Sequence, residues 1–405
     1  MANLLGTKST ITLLASEDPQ DFLEGIAYLY PRGYTKAPLM ALSATLPRIA
    51  SSSMDINHYE EGFPTMQVTV ATEVAAAGTS ITTSETGGAL ITRKWTQMRN
   101  ETTGEVFIVS ADGSGTTITT TTAYRGFGTT AAAIMPAGSK ITVIGSASAE
   151  IGTSPTPQGS SPTLVSNYLQ DIKESFEVGD IVAATQLRSG DLYTNDHFKA
   201  LTRWAVKAEN AFFWSELAKV TDTGGTYNRG NRGLNASITT NRTTVDGAIG
   251  KAAMKSILKD VMTYSSDSSG EKVCFCGNSF AQAFFDIAED DVQINATNET
   301  DTFGLGFMEY RTPFGKVFLK PHPLFNANAS WTGHAFFVDV PNIKYRYKDG
   351  TDANGVGFDL NLRENIKKDD GYTGRKDEFR GVIGLETWHE STHGVVLGVT
   401  GWSGN

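Results

Sequence analysis

Apolar residues recur at helical spacing between residues 194 and 220. Phe198, Leu201, Ala205, Ala208 and Phe212 form one stripe, with Trp204 and Trp214 beside it. Lys199, Arg203, Lys207 and Glu216 fill the polar side, and Thr194, Asn195 and Asp196 bring capping-type residues to the start. The pattern predicts a long helix over about 194–220. Before it, residues 160–184 (SSPTLVSNYLQDIKESFEVGDIVAA) read as an extended, strand-like segment.

Further upstream the period changes to two. Strand-type runs stand at Gln67, Val68, Thr69 and Val70, at 105–109, at 117–119 and at 140–143, in a Thr-rich, charge-poor stretch. Ala77–Gly78, Gly87–Gly88, Asp112–Gly113 and Ala137–Gly138 separate them as turns, and Pro155, Pro157 and Pro162 mark the way out. Residues 66–149 are therefore expected to form a small barrel or sandwich. Val106, Ile108, Ile118, Ile141 and Val143 are its candidate core.

After a Gly/Asn-rich linker at 221–235, helices and strands alternate. Met254, Ile257, Leu258 and Val261 predict an amphipathic helix, residues 272–276 a short buried strand, and Asn278 or Ser279 caps a further helix ending in the acidic Glu289, Asp290 and Asp291. Strands follow at 316–319 and 335–340, residues 355–374 read as a polar loop, and residues 379–399 return to strand patterning, which gives an α+β chain. The first 50 or so residues hold scattered anchors (Phe22, Leu23, Tyr28, Leu29, Tyr30, Leu39) broken by Pro31, Pro38 and Pro47. Such a segment has no core of its own and is expected to pack, as an arm, onto something else.

Composition narrows the function. Charged residues are 19% of the 405, Gly numbers 41, and the net charge is −10. Low charge with much Gly, Thr and Ser fits β structure and surfaces that other chains cover. An acidic chain does not grip duplex DNA through counterion release. No signal-peptide pattern is evident, no window approaches a membrane-spanning length, and the Asn-x-Ser/Thr triplets at Asn235 and Asn295 read as chance matches. Cys274 and Cys276, at i and i+2 on a strand, read as reduced, buried small apolar residues.

Chemical motifs are few. His389–Glu390–Ser391–Thr392–His393 matches H-E-x-x-H, whose two His bind zinc only on a helix. Here the flanks are Gly-rich and β-branched, Ser391–Gly394 looks like a hairpin turn, and no third ligand comes after it. Zinc hydrolysis is thus a remote alternative. The acidic run at 289–291, the charged run at 367–370 and Gly304–Leu305–Gly306 read as solvated or incidental, and His58, His197, His322 and His334 as surface or satisfied core residues. No nucleophile motif is present. Neither a catalytic site nor a cofactor or metal site is expected.

A long helix beside an extended β arm suits a subunit that lies across its neighbours. In the order of these parts, and in the segments KALTRWAVKAENAFFW, TPFGKVFLKPHPLF and FRGVIGLETWHESTHGVVLGV, the chain resembles the major capsid proteins of tailed bacteriophages, with the Hong Kong 97-type fold. The resemblance implies an N-terminal arm (1–53) and an extended loop (54–160) enlarged by the β insert. It further implies a peripheral domain (161–242) with a spine helix at about 194–220, an axial domain (243–345), and axial loops with closing strands of the peripheral domain (346–405). It implies self-assembly into hexamers and pentamers of an icosahedral or prolate head that encloses double-stranded DNA, in a virion assembled in the bacterial cytoplasm. Expected partners are further copies, a separate scaffolding protein, a portal and decoration protein, with no membrane. Phe22, Tyr28, Tyr30, Tyr124, Arg125, Phe127, Arg203 and Lys207 are the candidate inter-subunit contacts, although Tyr124, Arg125 and Phe127 equally suit a turn closing the insert's own core. A Lys–Asn cross-link of the kind in the family's type member has no alignable residues here, Lys94, Lys140 and Glu386 being the nearest suggestions. The alternative class is a β-rich virion surface, adhesin or decoration protein.

Overall fold

The computed structural model describes residues 39–40 and 48–404, apart from 64–65, 86–87, 129, 149, 151–153, 158, 160, 186–190, 267–269, 291–298, 303–304 and 367–372. Contacts divide the chain into two units, Glu61–Thr163 and a larger one formed from the residues up to Glu60 and from Leu164 onward.

The smaller unit holds two antiparallel sheets. One runs in the order Gln67–Thr69, Lys140–Ser146, Thr96–Asn100, Val106–Ile108, and the other in the order Ser80–Thr82, Thr117–Thr119, Ala111–Ser114. Alternation turns Val68, Ile81, Met98, Phe107, Ile118 and Ile141 inward, where all are at least 98% buried. Of the expected core residues Ile108, Ile118 and Ile141 are buried, Val143 packs at the edge, and Val106 is only half-buried. The cross-strand pair Met98↔Phe107 sets that phase, because both side chains fill the space between the sheets.

In the larger unit a five-stranded sheet runs in the order Ile49–Ser51, Ile343–Lys348, Gly374–Thr387, Gln170–Gly179, with Asn361–Arg363 also paired to Gly374–Thr387. The long helix, Leu192–Trp214, lays Ala200, Trp204, Ala208 and Phe212 against Ile172, Phe176, Phe379 and Ile383 of this sheet. Trp204 donates its indole N–H to the Ile172 carbonyl at 2.9 Å. Beneath that ring lies Gly381, where a Cβ would come within 2.6 Å of the indole, so only glycine admits it.

The seven-stranded sheet is ordered Arg242–Ile249, Gly394–Trp402, Ala335–Val338, Glu271–Cys276, Gly315–Pro321, Leu305–Thr312, Glu299–Thr302. Helices Lys251–Met262 and Asn278–Asp290 bring Met254, Leu258, Val261, Phe280 and Phe284 onto one of its faces. Cys274 and Cys276 point into that cluster, while Phe275 points into the aromatic cluster under the long helix. Cys274, Phe275 and Cys276 are buried on alternating faces of this strand, which is why its second half reads as an apolar run.

Four expectations change. The long helix is capped by Asp191, which accepts from the Thr194 N–H at 3.1 Å, and it stops at Trp214, where Ser215 turns extended. A hairpin comes next, Ala218–Thr221 with Tyr227–Gly230, in place of further helix and a structureless linker. Gly230 and Gly233 fit closely against the helix end, where a Cβ would lie 2.5 Å from the Glu216 carbonyl oxygen and 2.9 Å from the Phe213 carbonyl carbon. The polar loop at 355–374 contributes strand Asn361–Arg363. The two strands of the 379–399 region do not form a hairpin but enter different sheets, because His389 (φ 48°) and a short 3-10 turn, Glu390–Thr392, redirect the chain between them.

Candidate inter-subunit surfaces

Phe22, Tyr28 and Tyr30 lie outside the described residues, as do Gly304, Asp291, Asn295 and the charged run at 367–370. Arg203 and Lys207, one helical turn apart on the outer side of the long helix, both reach Glu174 of strand Gln170–Gly179. Each cation is about half exposed, 50% and 55%, so both retain accessible charge beyond this pair. Burial raises the Glu174 carboxyl, but hydrogen bonds and charge from the two cations outweigh it and hold the carboxyl below its usual range.

Tyr124 and Phe127 flank Arg125, for which the sequence leaves open both a neighbour contact and a turn closing the unit's own core. Tyr124 is half-buried, edge-on to Trp95 at 5.7 Å, and Phe127 is exposed. Arg125, however, is no surface contact. Its guanidinium, with no exposed side-chain area, meets Glu105 at 2.6 and 2.9 Å and donates to the carbonyls of Ala75, Gly78 and Ala133. Glu105 also accepts from the Gly126 and Ala133 N–H groups. Burial pushes Glu105 up, and these bonds, led by Arg125, pull its carboxyl below the ordinary value. AYRGFG thus closes the core of its own unit. Gly126 (φ 64°) makes the turn where a Cβ would sit 2.6 Å from the Ala132 nitrogen.

The His389–His393 pentapeptide is not a helical pair of imidazoles. His389 is left-handed, while His393 is extended and fully buried. The His389 N–H donates to Glu60 at 2.6 Å, and Glu390 accepts from the Thr239 and Thr240 N–H groups. His393 Nδ1 accepts from the Asp339 N–H at 3.1 Å, which places the proton of the neutral ring on Nε2. Beside it Lys272, also fully buried, donates to the Tyr264 and Thr392 carbonyls and lies 3.6 Å from the Asp339 carboxylate. Burial lowers the Lys272 ammonium, with Asp339 opposing. Burial, then the neighbouring Lys272 charge, push His393 down to about 4. Among the described residues no group of three or more His, Cys, Asp or Glu is placed to hold a metal ion.

A cavity of about 150 Å³ is lined by His58, Glu60, Asn167, Arg232, Glu386 and Glu390. Glu386, almost fully buried, accepts from Trp388 Nε1 at 2.6 Å and pairs with Arg346, while the His58 ring stacks on Trp388 at 4.6 Å. Lys94 lies over the Trp95 ring, and His334 accepts the Gly398 N–H. These groups serve packing. No helix among the described residues is long and apolar enough to cross a membrane.

Among the described residues two further buried clusters escaped the sequence reading, Lys272–Asp339–His393 and Glu209–His322. Their partners are far apart in the chain, but each leaves a trace. Lys272 stands on the same strand phase as Cys274 and Cys276, and Glu209 stands four residues beyond Ala205 on the helix stripe, so each is a charge at an inward position.

The model of the family described as SU10 major capsid protein matches residues 45–400. A curated relative from Pseudomonas phage PaMx41, a major capsid protein, is 25% identical over 350 residues, spanning 81% of this chain and 79% of its own. The capsid asymmetric unit of cyanophage A-1(L) is similar in structure, with a TM-score of 0.51 at 12% identity, over 97% of this chain and all of that one.

Proposed function

The chain belongs to the SU10 major capsid protein family, and from that membership we propose how its copies build the head. Its fold is the Hong Kong 97-type capsid fold, its role is structural rather than enzymatic, and its place is the shell of a virion. The reading is that copies associate as hexamers and pentamers of an icosahedral or prolate head enclosing double-stranded DNA. Scaffolding, portal and decoration would come from separate proteins, and assembly would take place in the host cytoplasm. The match of the family model over nearly the whole chain carries this reading. A net charge of −10 supports a shell that encloses DNA without gripping it.

Within the subunit, the five-stranded sheet and the long helix take the part of a peripheral domain, and the seven-stranded sheet with its two helices that of an axial domain. Residues 54–160 take that of an extended loop, and residues 1–53 that of an arm. Arg203, Lys207, Tyr124 and Phe127 stay as candidate contacts, together with Phe22, Tyr28 and Tyr30, whereas Arg125 is withdrawn. Electron microscopy of the purified protein tests the assembly, with closed shells or five- and six-membered rings expected. A stable monomer at every concentration would overturn it. Replacing residues 66–149 by a Gly/Ser bridge tests the division. Helix content per residue outside the deletion should survive while particle yield collapses, since loop closure costs grow only logarithmically with length.

A further inference from the structure

Glu209 is an anomaly on the long helix. It has no exposed side-chain area, and it lies in the stripe that packs the aromatic core. A buried carboxylate is tolerated only when its oxygens are fully engaged. Its Oε1 accepts the Leu39 N–H at 2.8 Å, its Oε2 the Met40 N–H at 2.9 Å, and His322 Nε2 lies 2.9 Å from Oε1. His322 Nδ1 accepts the Leu324 N–H at 3.2 Å, so the imidazole carries its proton on Nε2 and donates it to Glu209. The ring is itself fixed, stacked on Phe325 at 4.4 Å and edge-on to Phe213 at 5.1 Å.

Leu39 and Met40 are helical, and their two successive backbone N–H groups converge on the two oxygens of one carboxylate. Glu209 reaches these two amides from 170 and 169 residues away in the chain. The Leu39 side chain, 2% exposed, sits in the same aromatic cluster as Phe212 and Tyr345.

We propose that Glu209, oriented by His322, is a socket for the segment at Leu39–Met40, a latch that ties the N-terminal part of the chain to the long helix. The socket reads two backbone N–H groups and one leucine. Both carboxylate oxygens are engaged only while Leu39–Met40 is seated, so its withdrawal leaves Oε2 without the Met40 N–H and Oε1 with His322 in place of two donors. Seating of Leu39–Met40 and completion of the core around Leu39 are therefore one event. This holds whether or not the subunit forms a shell.

Hydrogen–deuterium exchange of the Leu39 and Met40 amides in the full chain tests the latch. Glu209→Gln, which presents an N–H₂ group to one donor, should speed both amides at least tenfold while amides in the middle of the long helix change less than twofold. Leu39→Ala should release the same amides. Because one latch can be opened only once, the double variant should exceed the faster single variant by less than twofold. Unchanged Leu39 and Met40 exchange in folded Glu209→Gln would overturn the proposal, as would multiplicative effects of the two substitutions. If Glu209→Gln does not fold, Glu209→Asp, which keeps the charge and shortens the reach, is expected to give the same release, and its failure to do so overturns the socket.

Discussion

The two units solve the problem of burying polar groups in different places. In Glu61–Thr163 the apolar core is small and mostly aliphatic, with Phe107 as its buried aromatic ring, and one ion pair, Arg125–Glu105, gathers the carbonyls and N–H groups of three loop segments. In the larger unit the core is aromatic, built around Trp204, Phe212, Phe213, Phe275, Phe325 and Phe336. There the buried charges lie where separate elements meet, Glu209 between the long helix and Leu39–Met40, Lys272 between the seven-stranded sheet and the Glu390–Thr392 turn. A small sandwich lacks apolar area to fix long loops, so a charge network holds them. A large core has area to spare, and its charges instead specify which elements join.

Breaking the small unit's network should give the largest effect. Arg125→Ala leaves Glu105 buried and unpaired and should cost about 3–5 kcal/mol. Amide exchange should accelerate throughout Glu61–Thr163 and leave the long helix unchanged; equal acceleration in both would merge the two units. Replacing Arg125 and Glu105 together by Met and Leu should recover only the part due to the unpaired charge, because the backbone groups of Ala75, Gly78, Gly126 and Ala133 still lose these partners.

The larger unit's network is sharpened by pH. His393 titrates at about 4 when folded and near 6.5 when unfolded, so the unfolded chain binds its proton first as pH falls. Stability from this group is complete above about 6.5 and is lost progressively down to about 4, on the order of 3 kcal/mol in all. His393→Asn, which keeps an acceptor for the Asp339 N–H, should flatten denaturation midpoints across that window. An unchanged slope would assign the acid sensitivity to other groups.

The smallest effect on the isolated fold should come from the helix surface. Arg203→Ala with Lys207→Ala removes exposed partners of Glu174 and should shift stability by no more than about 1 kcal/mol. If these cations meet a neighbouring copy, particle yield falls far more than the thermal midpoint does. A yield that tracks stability alone would remove both from the contact set.

Local patterning determined the long helix, the two helices over the seven-stranded sheet and the short strands of the insert, because 3.6- and 2-residue periods and turn residues act within a few positions. It also made the zinc reading of His389–His393 remote, since Gly and β-branched flanks do not support a helix there. Sheet membership was decided elsewhere. Nothing in GVIGLETWHESTHGVVLGV says that its two strands part company, because strand pairing depends on partners such as Gln170–Gly179 and Arg242–Ile249, far away in the chain. The sequence likewise does not name the partners of Arg125, whose Glu105 stands 20 residues back, or of Glu209, whose partners stand 113, 169 and 170 positions off. A buried charge is placed by whatever compensates it, and for these residues the compensation exists only once distant segments have folded together.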